Sequence, residues 1–329
     1  ASKKSINEVV SVKVSKILKF VLNKMNNYTK TMNDSTGINF NWIVNNHDKI
    51  VEDIKSLSKK NKIFSVETYD FTTLYTSIKH YDMKYALNQL LNIAFHKNEN
   101  LKIVTIGNNI KWTYSKIIHK KNYIYTYTKN NIMDMINFLL DYSYFQFNNK
   151  IYKQIIGIPM GTSVSPILAN LFLFYYEFSY LKQNIRKSYK KCVNLKYTYR
   201  YIDDITTIND NGCFSKIYKD IYPDSLELLK INDNNKIADV LDLNIHIKND
   251  KTAIIKLYDK RNSFKFNINN FPDPNGNISH KMCYNVVRND FLRVKHICTN
   301  NSDYIEFTNF IINKLTLKGY DIDRLNKIL

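Results

Sequence analysis

Hydrophobic and polar positions divide the chain into segments of two periods. Residues 5–25 carry Ile6, Val10, Val14, Ile17 and Val21 on one stripe, which predicts a helix. Residues 26–39 are polar and read as a loop, and a second helical pattern covers 41–58. The run 63–71 reads as a core strand with Asp70 near its end. Helices are predicted over 82–96 and 131–146, with short strand-like pieces at 101–113 and 122–128. Residues 166 to about 180 are apolar almost all round, which marks a buried helix. An apolar, aromatic hairpin occupies 197–208, and a short helix over 213–230 is broken at Pro223. Residues 241–247 alternate with period two and pair with 254–258. Two helices, 281–299 and 302–328, close the pattern, with Gly319 breaking the second. No apolar run reaches 18 residues, so the pattern contains no membrane-crossing helix.

Composition adds a partner class. The 329 residues carry 48 Lys+Arg against 29 Asp+Glu, a net charge of +19, which favours a polyanion. AT-rich coding inflates Lys, Asn and Tyr, and the 25 tyrosines fit that bias, but it does not by itself suppress Asp and Glu. Lys116, His119, Lys120 and Lys121 form a local basic cluster, suited to a nucleic-acid channel or to a solvated loop. Cys192, Cys213, Cys283 and Cys298 form no C-x-x-C pair and read as free thiols in a reducing intracellular compartment. His280, Cys283, His296 and Cys298 invite a zinc reading, which the two-residue separation of the last pair disfavours.

Three stretches carry candidate chemistry. Within Tyr199-Arg200-Tyr201-Ile202-Asp203-Asp204-Ile205, two carboxylates interrupt an apolar strand pattern. At a tight hairpin they project together at one end of a sheet, where a divalent cation would neutralise them. The plain alternative is a solvated β-turn. Asp70 ends a second strand. Between the two, Gly157, Pro159, Met160 and Gly161 form a loop entering the buried helix. Its glycines let backbone approach a ligand closely, and Ser163 or Ser165 is positioned to cap that helix.

A strand with a terminal carboxylate, a Gly/Pro loop entering an apolar helix, and an Asp-Asp hairpin, in that order, resemble the palm of a reverse transcriptase. The phrases Thr68-Tyr69-Asp70-Phe71-Thr72-Thr73-Leu74-Tyr75-Thr76, Gly157-Ile158-Pro159-Met160-Gly161 and Tyr258-Asp259-Lys260-Arg261 are similar to those of Penelope-like mobile elements. Met160, where many reverse transcriptases have Gln, narrows the resemblance to that group.

The resemblance implies an α+β right-hand polymerase: an antiparallel palm sheet backed by helices, partial fingers and a helical thumb. Its parts would be 1–62 for fingers, 63–250 for the palm with a fingers-like insertion at about 97–150, and 251–329 for the thumb. It implies RNA-directed DNA synthesis with two Mg²⁺ ions (Mn²⁺ substituting) on Asp70 and Asp203, Asp204 being secondary. Phe71, Tyr75, Gly157, Pro159, Met160, Gly161 and Tyr201 would surround the incoming dNTP. Tyr75 would exclude a 2′-hydroxyl and so favour deoxynucleotides. Lys230 or Lys236 would protonate the leaving pyrophosphate. Arg200, Lys260, Arg261, Arg288, Arg293 and Lys295 would contact an RNA template or a DNA or RNA primer.

The family's upstream fingers phrase, Leu-Pro-Lys-x-His-Lys, is not found in this sequence. A separate chain or a larger ribonucleoprotein would then supply it, or activity is lost and the chain is a non-catalytic RNA-binding component. An RNA-dependent RNA polymerase shares the palm, but Tyr75 argues against it. A basic nucleic-acid-binding protein with coincidental motifs is the remaining alternative.

Overall fold

The polar stretch after residue 25 does not end the first helix. In the computed structural model, which describes residues 6–96, 98, 100–114, 124–260, 264–265, 268 and 271–328, α1 runs Ile6–Thr36. The Thr29, Thr31 and Thr36 hydroxyls donate to carbonyls one turn back, and Thr29 is buried. Packing of this face outweighs the weak helix propensity of its Asn and Thr residues.

In chain order there follow α2 (Asp48–Ser58), β1 (Val66–Phe71), α3 (Leu74–Ser77), α4 (His80–Ala94), β2 (Lys102–Ile106), β3 (Asn109–Thr113) and β4 (Ile124–Tyr127). Next are α5 (Lys129–Asp141), β5 (Tyr144–Phe147), β6 (Lys150–Lys153), α6 (Ser165–Asn184), α7 (Tyr189–Asn194), β7 (Thr198–Tyr201), β8 (Asp204–Ile208) and α8 (Phe214–Ile221). The last are β9 (Leu228–Lys230), β10 (Ile237–Val240), β11 (Leu243–Ile247), β12 (Ala253–Leu257), α9 (His280–Ile297), α10 (Asn301–Leu317) and α11 (Ile322–Asn326).

The chain forms two units, one from residues up to Ile43 plus Tyr69–Lys230, the other from Val44–Thr68 plus residues from Ile231 on. The first holds a four-stranded sheet in the order β7-β8-β1-β9. Helices α1, α4, α5 and α6 pack together, with Leu18, Leu87, Ile136 and Phe172 among their buried side chains. α6 is buried on nearly every face, as its apolar composition predicts. A small sheet, β3-β2-β4, forms from the strand-like pieces. The basic cluster Lys116, His119, Lys120 and Lys121 lies outside the described residues.

The helix predicted to residue 146 stops at Asp141. Beyond it β5 and β6 pair through a two-residue loop in which Asn148 and Asn149 both have positive φ. That is the type I′ turn, which asparagine accepts more easily than most residues. The helix predicted over 213–230 ends at Ile221, because the residue before Pro223 is forced extended (Tyr222 ψ 152°). The chain then returns as β9 against β1.

In the second unit β10, β11 and β12 form a meander, and α2 and α9 pack against β12. Phe291, Ile311, Leu315 and Tyr320 build the core beneath α9 and α10. Residues 231–250, placed with the palm by sequence, lie in this unit. His280 and Cys283 start α9 while His296 and Cys298 sit at its far end. Among the described residues no three His, Cys, Asp or Glu side chains converge on a metal position.

Candidate active site

The Asp-Asp stretch folds as a hairpin with a two-residue turn. Tyr201 pairs with Asp204, leaving Ile202 and Asp203 at the tip. φ is positive at Ile202 (56°) and not at Asp203, the pattern of a type II′ turn, which normally takes Gly at its first central position. A β-branched residue there stores about 1–3 kcal/mol of strain. Asp203 is partly exposed and Asp204 exposed.

β8 lies beside β1 in the sheet, and β1 carries Asp70 opposite Leu229 of β9. Tyr75 follows on α3. Burial pushes its phenol up, and the negative charge of Asp203 pushes it further. Tyr75 and Asp203 therefore stand close enough for the charge of one to act on the other. Phe71 is buried, its ring edge-on to Tyr222 at 5.0 Å, so it supports the site from within. Tyr201 is half-buried. Lys230 is exposed on β9, opposite Tyr69. Lys236 belongs to the other unit, its Nζ 3.5 Å from Asn249 Oδ1.

The glycine loop is fastened to the Tyr75 segment. Gly157 N donates to Ile78 O (2.8 Å) and Ile158 N to Tyr75 O (2.6 Å). His80 Nε2 lies 2.8 Å from Gly157 O. A Cβ on Gly157 would stand 2.6 Å from Tyr75 O. The close backbone approach expected toward a ligand is therefore made by Gly157 to the chain's own backbone. Gly161 has φ +87° and open space around it. Met160 is 71% exposed. Pro159, Met160, Gly161 and Thr76 line a cleft of about 1050 Å³ with Tyr144, Phe145 and Lys153. Neither serine caps α6. Ser163 donates to Glu8, Ser165 is buried and donates to Pro159 O, and the Val164 N–H is met by Ser11 Oγ (3.0 Å).

Arg200 corrects an expectation. Predicted to touch nucleic acid, it is 0% exposed and paired with Glu177, also 0% exposed. α6, which carries Glu177 and Asn170, supplies the partners that take the guanidinium out of solvent. Arg293 is half-buried and held by Asp242 and Asp290. Arg288, Lys295 and Lys260 are exposed, whereas Arg261 lies outside the described residues. Glu177 and Tyr222 are site-supporting residues that sequence reasoning missed. The signal available was a glutamate inside an otherwise apolar helix face, which demands a buried partner.

The metal donors that the sequence singles out here are carboxylates. Asp70 is on β1 and Asp203 in the turn that leads into the neighbouring β8, and no group of three His, Cys, Asp or Glu side chains forms among the described residues. This suits a hard divalent cation that takes one or two carboxylates and completes its shell with substrate oxygens and water. It does not make a preformed three-carboxylate cage.

No family model and no curated protein matches the sequence. The fold has solved counterparts. Telomerase from Candida albicans, in complex with the TWJ fragment of telomeric RNA, superposes with a TM-score of 0.60 at 14% identity, covering 93% of this chain and 48% of that one. Candida tropicalis telomerase gives 0.51 in its apo form and 0.50 with the TWJ fragment, each at 15% identity. These cover 78% and 85% of this chain and 42% and 41% of those chains. The chain thus spans about half the length of the telomerases it matches. The likeness is one of fold: this is a reverse-transcriptase-like α+β fold, of the polymerase palm-and-thumb class.

Proposed function

We propose that the chain is an RNA-directed DNA polymerase, of a kind similar to Penelope-like mobile elements, that extends a primer by two-metal nucleotidyl transfer. The observation that supports this reading is the sheet order, in which β1 with Asp70 lies beside β8, the strand that the Asp203 turn leads into, while the charge of Asp203 is felt at Tyr75. The primer 3′-oxygen would form a bond to the α-phosphorus of a dNTP, and the bond to the bridging oxygen would break, releasing pyrophosphate. Asp70 and Asp203 would hold Mg²⁺, with Asp204 adding charge beside them. Bound there, the ions supply activation of the 3′-hydroxyl and neutralisation of the leaving pyrophosphate. The Tyr75 ring would lie under the sugar and exclude a 2′-hydroxyl. The 157–161 loop, tied to Tyr75 by backbone hydrogen bonds, would keep the nascent pair in register with that ring. Lys230 pairs with Tyr69, so the register puts it on the opposite face of the sheet from Asp70, and neither it nor Lys236 is assigned as the donor to pyrophosphate. Base choice would come from template pairing. Exposed Arg288, Lys295 and Lys260 would contact phosphates. The RNA in two of the telomerase complexes supports an RNA partner, within a larger ribonucleoprotein.

A second reading, a non-catalytic RNA-binding component, is favoured by the absence of a three-carboxylate cluster among the described residues. Primer extension on poly(rA)/oligo(dT) with Mg²⁺ or Mn²⁺ separates the two. Extension by the chain, abolished by Asp203→Asn with primer–template binding intact, is the expected result. No extension together with salt-sensitive RNA binding would move the assignment to the second reading.

A further inference from the structure

The turn that carries Asp203 is strained, and a strained residue persists only where its surroundings over-determine it. The guanidinium of Arg200 supplies that constraint. Nε donates to Glu177 Oε1 (2.5 Å) and Nη2 to Glu177 Oε2 (3.1 Å) and Asn170 O (3.2 Å). Nη1 donates to Asn170 Oδ1 (2.9 Å) and Ile202 O (3.0 Å). All five N–H donors of the fork are used. Four reach α6, and the fifth reaches the turn. From the other side the Tyr222 hydroxyl donates to Glu177 Oε1 at 2.8 Å.

We propose that Arg200, seated on Glu177, is a positioning residue that fixes the Ile202–Asp203 peptide and so aims the Asp203 carboxylate. The peptide unit is planar, so holding the Ile202 carbonyl also sets the Asp203 N–H and Cα. This is the central peptide of the turn, the one whose rotation interconverts the primed turn types. The hydrogen bond from Nη1 opposes that rotation. A buried ion pair is often no more stabilising than apolar residues of equal size, and its best-attested use is to specify one geometry. Lysine would retain the charge but not the planar five-donor fork. The proposal rests on the polymerase reading for its consequence, while the turn geometry can be tested without it.

The test is Arg200→Lys in the full chain, read by hydrogen exchange at the 201–205 amides, by Mn²⁺ binding in electron paramagnetic resonance, and by primer extension. Exchange at those amides should rise about three- to tenfold, the effect of one lost hydrogen bond, with β2–β4 unchanged. Mn²⁺ affinity and the extension rate should fall while primer–template affinity holds. Tyr222→Phe, which loosens Glu177 and spares the guanidinium, should shift the same readouts less, and it carries the test if Arg200→Lys does not fold. A folded variant with unaltered exchange at 201–205 and unaltered Mn²⁺ affinity overturns the proposal. If the unsubstituted chain neither extends primers nor binds Mn²⁺, the polymerase reading has failed. Faster exchange confined to 201–205 would still support the turn-holding role.

Discussion

Replacing Gly157 with alanine tests the join between the glycine loop and Tyr75. The new Cβ would sit 2.6 Å from Tyr75 O, 2.9 Å from Thr76 Cα and 3.0 Å from Thr76 O. All three are backbone atoms, so no side chain can rotate away. Restoring ordinary separation means moving one segment by about an ångström. Overpacking of this kind and an L-residue at φ +81° together cost about 2–5 kcal/mol. Moving the segment also strains the Ile158 N to Tyr75 O bond and displaces Tyr75. Gly161→Ala is the matched control. Its φ is +87° with nothing within 4 Å, so only the conformational cost of about 1–2 kcal/mol applies. Urea unfolding monitored by circular dichroism gives both losses, and dNTP KM should rise more at 157 than at 161. If Gly157→Ala loses no more stability than Gly161→Ala, the close backbone approach is not what the glycine is for.

Ile202→Gly should relieve the strained turn, a net gain of about 0.5–2 kcal/mol after the entropy of glycine. A measured loss of stability would contradict the strain assignment. Tyr75→Ala should raise incorporation of ribonucleotides relative to deoxynucleotides by about 10–100-fold, measured as a ratio of kcat/KM values. An unchanged ratio would remove Tyr75 from the sugar pocket. Burial alone would push the Asp242 carboxyl up. The His47 hydrogen bond, with the charges of His47 and Arg293, outweighs burial and holds the carboxyl below its ordinary value. Its folded pKa is the lower one, so its contribution is present above about pH 4 and lost as pH falls through the folded value. Asp242→Asn should flatten that acid limb of thermal stability, and an identical acid limb in the variant would show that another carboxylate sets it.

Much of the candidate site could be proposed from the sequence because its chemistry is local there. Asp70, Asp203 and Asp204 stood out as carboxylates inside apolar strand patterns, and the residues between them named a polymerase palm whose α+β fold the structure bears out. Hydrophobic patterning determined α6 as an apolar run too long for a strand, and the C-terminal helices through the period that one-sided burial imposes. Tertiary structure decided the rest. The α1 extension is helical because a polar segment found a packing face. β9 exists because β1 needed a neighbour for its backbone groups, a demand that sits over 150 positions upstream. Arg200 looked like a phosphate contact and became a buried brace, because only the fold puts Glu177, Asn170 and the Ile202 carbonyl within reach of one guanidinium. A residue's type is written in the sequence. Its partner is set by which elements the fold brings against it, because desolvation obliges a buried charge to find its counterpart wherever the chain places one.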